Sequence, residues 1–167
     1  MAEPAEPFVG AKLLLFVGDS VVVIRRDERP DIPWPGRLDF PGGGREGFED
    51  PEECVLRETE EEIGLRLTRS DLHVVGTRRS DAGVSWFFAA RLPADAQNAI
   101  RLGSEGTEWM RLDPHDFARR TDAVPHFRHI MSEYLETIGG KKMPGPADGP
   151  VPAVRVFGTG KDPQGTR

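Results

Sequence analysis

The strongest constraint on the fold lies between residues 41 and 65, where Pro41 and three consecutive glycines lead into a helix with both ends written in the sequence. Asp50 is a good N-cap, Pro51 suits the first helical turn, and Glu53 completes a capping-box pattern. Gly64 is the expected C-terminal stop, since glycine enters the left-handed region at little cost. Within these limits Cys54 or Val55, Thr59 and Ile63 supply an inward stripe. Glu58, Glu61 and Glu62 share a different face, near the end of the helix that carries partial negative charge. Like charges at this spacing repel by roughly 0.2–0.5 kcal/mol per pair. A chain that keeps three carboxylates there has a cation to set against them. Glu52 and Glu53 need no such reading, because a helix N-terminus favours acids.

The acidity is local. From residue 46 to 62 nine acids face one base, a net of −8 in a chain of −6 overall, so the remainder is slightly basic. The mildly acidic pI therefore says little about partners, and no broad basic patch argues for a nucleic-acid polymer. Cys54 is the only cysteine, which excludes an intrachain disulfide and fits a reducing compartment. Beside Val55 and Leu56 it reads as a packed thiol rather than a nucleophile. The start, MAEPAEPF, lacks the basic and apolar regions of a signal peptide, and no apolar run approaches the roughly 20 residues that span a bilayer. The expectation is a cytoplasmic enzyme without a membrane partner.

Around the helix the pattern is mixed. Residues 12–17 and 21–24 are aliphatic and β-branched with Gly18-Asp19 between them, the pattern of a β-hairpin. Residues 25–36 carry three prolines and form an ordered but irregular loop, and 37–40 form a short strand that Pro41 and the glycines stop. Further strands are expected at 72–76, 84–90 and 108–112, a short helix at 114–120 and a longer one at 125–138. Residues 1–7 read as a flexible N-terminus and 8–140 as the single folded domain. The tail, 141–167, reads as disordered, because the last 29 residues hold seven glycines and five prolines, although VPAVRVF within it could pair with another segment. Strands and helices alternate without regular βαβ order, which predicts an α+β fold with a mixed sheet.

Gly43, Glu49, Arg57, Glu58, Glu61, Glu62 and Gly64 fall in the register G-x5-E-x7-R-E-x-x-E-E-x-G-L. This resembles the signature of the Nudix hydrolases at every fixed position; Thr59 fills one of the aliphatic positions, where its methyl group still packs. The physical reading stands beside the resemblance. Magnesium takes oxygen ligands, keeps several waters and bridges to substrate phosphates, and three carboxylates on one helical face supply such ligands. Gly42, Gly43 and Gly44 let backbone approach a metal or phosphates closely, while Arg57 and Glu49 are suited to holding the carboxylates in place.

The resemblance implies an α/β/α sandwich and a Mg2+-dependent (or Mn2+-dependent) attack of water on a pyrophosphate in a nucleoside diphosphate-linked molecule, with Glu58, Glu61 and Glu62 as metal ligands and Gly42 among them. Glu58, Glu61 and Glu105 are the candidate catalytic carboxylates. Glu105, in RLGSEGTEW between two glycines, looks like the distal carboxylate of enzymes that hydrolyse oxidised dGTP and would then be a metal ligand or general base; Glu108 is the alternative. Arg25 and Arg26 end a strand that runs beside the glycines, and the resemblance favours Arg26, with Gly43 and Gly44, for phosphate contact. Trp34, Phe40 and Trp86 are each more readily core residues than base-stacking ones, and His126 and His129 show no zinc spacing.

The resemblance points to a small nucleotide substrate, foremost a (deoxy)nucleoside triphosphate. ADP-ribose and a dinucleoside polyphosphate are the alternatives. Ala123 stands where the nearest oxidised-dGTP enzymes carry an asparagine, which argues against reading 8-oxoguanine. A homodimer is the form of many relatives. A non-catalytic Nudix-fold binding module would be expected to carry a broken motif, and this one is intact. A plain acidic domain does not explain the register of the glutamates.

Overall fold

The structure is a computed structural model that describes residues 7–139 and 155–157. Its centre is β1 (Phe8–Val17), a strand buried along nearly its whole length. Because both faces are covered, it reads as a continuous apolar run rather than an alternating one. Leu14 and Phe16 face one core, and Leu13, Leu15 and Val17 face the other. β2 (Ser20–Arg25) returns antiparallel to the second half of β1, as the Gly18-Asp19 turn predicts. β3 (Leu38–Asp39) pairs with β2.

The three glycines are not a loop. Gly42–Gly44 form β4, antiparallel to the first half of β1, with Ala11 opposite Gly43. α1 (Pro51–Ile63) follows, with Asp50 as N-cap accepting from the Glu53 N–H and Gly64 at φ 72° as C-cap. The side chain of Glu53, expected to complete the box, instead takes Arg69 at 3.0 Å. β5 (His73–Ser80) and β6 (Gly83–Leu92) form a second hairpin, and β6 runs parallel to β1. β7 (Glu108–Leu112) pairs with β2. Two helices, α2 (Pro114–Arg119) and α3 (Pro125–Ile138), complete the domain.

The result is a mixed sheet between two helical layers. α1 covers one face through Cys54, Val55 and Ile63; α2 and α3 cover the other through Phe117, Phe127, Ile130 and Met131. Within the tail, expected to lack structure, Arg155–Phe157 form β8, parallel to β5 at the sheet's edge. The reason is Phe157, which is buried edge-on against Phe87 and joins the core on the α3 side. The expected flexible residues 1–6 and the rest of the tail lie outside the described residues.

Candidate active site

Strand β4 and helix α1 fold back on one another, and the fit between them is steric. A β-carbon at Gly43 would lie 2.6 Å from the carboxylate carbon of Glu58, so the absent side chain is the room that Glu58 occupies. At Gly42, with φ at 129°, it would lie 2.2 Å from the carbonyl oxygen of Ala11, so that glycine is required by the approach of β1. Gly44 has no such requirement, the nearest atom standing 3.9 Å away.

Arg57 is the hub of the exposed side. Its Nε and Nη2 donate to the two oxygens of Glu49 at 3.0 and 2.7 Å, and Nη2 also reaches the Gly44 carbonyl at 2.9 Å. Its Nη1 donates to Glu58 at 2.9 Å and to Glu61 at 3.1 Å. This guanidinium holds the Glu49 carboxyl down at about 2, against the opposing effect of burial. Glu62 lies deeper and takes the Gly42 N–H at 3.1 Å. Burial pushes its carboxyl up to about 9; Lys12 opposes that rise, whereas the nearby charges of Asp39 and Glu58 add to it.

The C-terminal carbonyls of α1 are capped by a later loop. Arg101 N–H donates to Ile63 O at 2.9 Å and Gly103 N–H to Glu62 O at 2.7 Å. A β-carbon at Gly103 would lie 2.2 Å from Glu61 O, so this glycine lets the loop lie flat on the helix end. Two residues later Glu105 joins Glu58, Glu61 and Glu62 on the wall of a cavity of about 350 Å³. A smaller cavity, about 90 Å³, shares Arg26, Asp39, Glu62 and Glu105 with it and extends under the proline-rich loop.

The two arginines at the end of β2 separate. Arg26 lines both cavities, fixed by Asp39 at 2.7 Å and by Pro33 O at 2.7 Å. Arg25 turns away to Glu108, Asp122 and the Gly36 carbonyl. Glu108 is thereby committed to an ion pair and is not on the cavity wall. Phe40 is fully buried, Trp86 stacks on Phe88, and Trp34 packs against the α3-side core. His129 pairs with Glu133, and His126 lies edge-on to Phe127. The Cys54 thiol is buried and pushed up to about 12, chiefly by burial.

As they stand, no three His, Cys, Asp or Glu side chains among the described residues are gathered closely enough to hold a cation. Arg57 claims two of the carboxylates and the Gly42 amide a third. The donor set nevertheless suits a hard divalent ion: all its groups are oxygens, and one of them, Glu62, is pushed up to about 9, chiefly by burial. Sequence reasoning missed Lys12 and Asp39, both buried on the cavity wall. The signal was present, since a lysine inside the run AKLLLFV and an aspartate inside LDF are charges on strands that are otherwise apolar.

A mixed sheet between helical layers opens on a cavity lined by several carboxylates. The chain belongs to the NUDIX family, whose domain model matches residues 7–134. It is 44% identical over 117 residues to an RNA pyrophosphohydrolase of Acidiphilium cryptum (strain JF-5), spanning 68% of this chain and 70% of that protein. Among solved structures it is similar to a MutT protein from Methanosarcina mazei Go1, with a TM-score of 0.68 at 19% identity over 82% of this chain and 99% of that one. A C. elegans Ap4A hydrolase gives a TM-score of 0.60 at 16% identity over 78% and 97%. Such distant likenesses establish the fold alone. The chain is thus a Nudix pyrophosphohydrolase, of a family that acts on nucleotide-linked substrates and generally uses divalent metal ions. No helix of the described residues is long and apolar enough to cross a membrane.

Proposed function

We propose that the enzyme hydrolyses the phosphoric anhydride of a nucleoside triphosphate, ribo or deoxy, with Mg2+ or Mn2+ held by Glu58, Glu61, Glu62 and Glu105. The observation that carries this reading is the shared wall: these four glutamates line one cavity together with Asp39, Glu46, the β4 backbone and Arg26. Bound divalent ions would neutralise phosphate charge and lower the pKa of an attacking water. The chain's own residues do the rest. Arg26, held rigid by Asp39 and Pro33 O, offers its guanidinium to a phosphate. Glu105, on a loop held to α1 by backbone bonds, serves either as a metal ligand or as the acceptor of that water's proton. Arg57 and Glu49 keep Glu58 and Glu61 in register.

A second reading is favoured by one finding. The relative from Acidiphilium is named for action on RNA, which makes a pyrophosphate borne by an RNA chain the alternative to a free nucleotide. Both readings use the same chemistry at the same carboxylates. The test is phosphate and pyrophosphate release, with and without Mg2+, from nucleoside triphosphates, ADP-ribose, a dinucleoside polyphosphate and a 5′-triphosphorylated oligoribonucleotide. Wild type and Glu61→Gln are compared. The proposal expects Mg2+-dependent turnover of nucleoside triphosphates that the substitution abolishes. Turnover confined to the oligoribonucleotide would move the assignment to the second reading, and turnover indifferent to Glu61→Gln would overturn both.

A further inference from the structure

A buried lysine lies under the cavity outside the family signature. Lys12 is 2% exposed, and its three ammonium hydrogens match three acceptors. They are Asp39 Oδ2 at 3.0 Å, Phe40 O at 3.3 Å and Gly42 O at 3.0 Å. Its charge also sits 5.7 Å from the centre of the Phe127 ring. The three acceptors are spread over four consecutive residues, so one ammonium staples the turn from β3 to β4.

Each end of that turn governs a group on the cavity wall. Asp39 uses the same oxygen, Oδ2, to hold Arg26 at 2.7 Å. Gly42 turns its carbonyl, in the peptide to Gly43, to Lys12 and its N–H, in the peptide from Pro41, to Glu62. The backbone has its own supports here, because Leu13 N–H donates to Pro41 O at 2.8 Å and β4 pairs with β1. The ammonium therefore adds orientation to a turn already held by its main chain.

We propose that Lys12 is a positioning residue of this active site, orienting Glu62 through the backbone of Gly42 and Arg26 through Asp39. Its ammonium is taken up by protein acceptors. The inference rests on the reading of Glu62 as a metal ligand and Arg26 as a phosphate contact.

The sign of the effect separates positioning from plain electrostatics. A positive charge close to a cation site repels the cation, so removing it as a mere charge tightens metal binding. Removing it as a positioning group weakens binding, because outer partners of metal ligands are typically worth about 10–100-fold in metal affinity or activity.

The experiment uses Lys12→Met, which keeps the stem and removes the charge. Mn2+ affinity is read from the electron paramagnetic resonance of free Mn2+, alongside the thermal midpoint and the kcat and KM of a nucleoside triphosphate. The expected result is a Mn2+ dissociation constant raised about tenfold, a lower kcat and a cooperative melt. Mn2+ binding equal to wild type or tighter overturns the proposal. Where Lys12→Met does not fold, Asp39→Asn carries the test: it removes the carboxylate charge that Arg26 and Lys12 share while the bonds to Phe40 O and Gly42 O remain. A nucleotide KM raised about tenfold with kcat within about threefold supports the proposal, and an unchanged KM overturns it. Failure of the functional reading is a different result, in which wild type itself neither binds Mn2+ nor turns over any nucleotide.

Discussion

Arg57 grips Glu49 with a two-pronged pair at 3.0 and 2.7 Å, and the same guanidinium spreads its remaining donors over Glu58, Glu61 and the Gly44 carbonyl. One planar cation thus ties the loop before the helix, the glycine strand and two cavity carboxylates into one arrangement. Lysine cannot reproduce this fork, having a single point charge. Arg57→Lys is expected to reduce kcat by about 10–100-fold with a smaller effect on substrate KM, because the carboxylates lose register rather than identity. Steady-state kinetics on the preferred nucleotide check this.

The same pair sets an acid limit on stability. The Glu49 carboxyl is held at about 2 in the folded chain, below its ordinary 4.5. A lowered folded value means that the stabilisation is present above pH 4.5 and is lost as pH falls towards 2. Urea midpoints measured from pH 7 to pH 3 should decline, and Glu49→Gln should show a lower midpoint at pH 7 with a shallower decline. Parallel curves for the two proteins would remove Glu49 from the account.

Glu62 has the opposite sign. Its carboxyl is pushed up to about 9 from 4.5, so burial keeps it protonated at neutral pH when no cation is near. A raised folded value means that stability falls as pH rises from 4.5, where the unfolded carboxyl ionises, and levels off above 9, where the folded one does too. Glu62→Gln keeps the shape and a neutral group, so its thermal midpoint at pH 7 should equal or exceed that of wild type while turnover falls by at least about 100-fold. Added Mg2+ should raise the midpoint of wild type and leave that of Glu62→Gln nearly unmoved. Differential scanning calorimetry with and without the metal decides it.

The helix was the most legible part of the chain because its information is local. Asp50, Pro51 and Gly64 act on backbone groups within a turn of themselves, and the observed helix runs from Pro51 to Ile63 between them. Glu105 was expected near the helix from its flanking glycines just ahead of a strand and from the resemblance of its loop; it lies on the cavity wall, and Gly103 makes the contact with α1. What stayed hidden depends on partners distant in sequence. Nothing local says that Gly42–Gly44 would pair with β1 as a strand, since glycine is a poor strand former. Lys12 and Asp39 are 27 residues apart, and only the sheet brings them to 3.0 Å. Phe157 was masked by its surroundings, because Gly/Pro-rich composition outvotes one aromatic until there is a core for it to enter.

The three glycines of β4 are expected to respond differently to alanine. Gly42→Ala meets backbone at 2.2 Å and a positive φ, with no flexible side chain to yield, so it should destabilise the fold by about 3 kcal/mol or more. Gly43→Ala meets only the end of the Glu58 side chain, which can move aside; stability should change by less than about 1 kcal/mol while kcat falls at least about tenfold. Gly44→Ala has open space and should be close to neutral in both. Urea unfolding and kinetics on the three variants together check the order. A Gly43→Ala enzyme with full turnover would show that Glu58 does not need its present position.

The β8 strand supplies the last test. Phe157 is 2% exposed and packs edge-on against Phe87, whose other edge contact is Phe127 of α3. Truncating a buried phenylalanine leaves a cavity as well as losing its transfer free energy, at a typical cost of about 3–5 kcal/mol. Phe157→Ala should therefore lower the stability of the whole domain by that order, read as a shift in urea midpoint without a change in slope. A chain ending at residue 139 loses the same ring and should fall at least as far. Because β8 pairs with β5, at the sheet edge away from the cavity carboxylates, turnover per folded molecule should stay within about twofold of wild type. A chain ending at residue 139 that matched the full chain in stability would mean that β8 contributes nothing to the fold, whatever its place in the sheet.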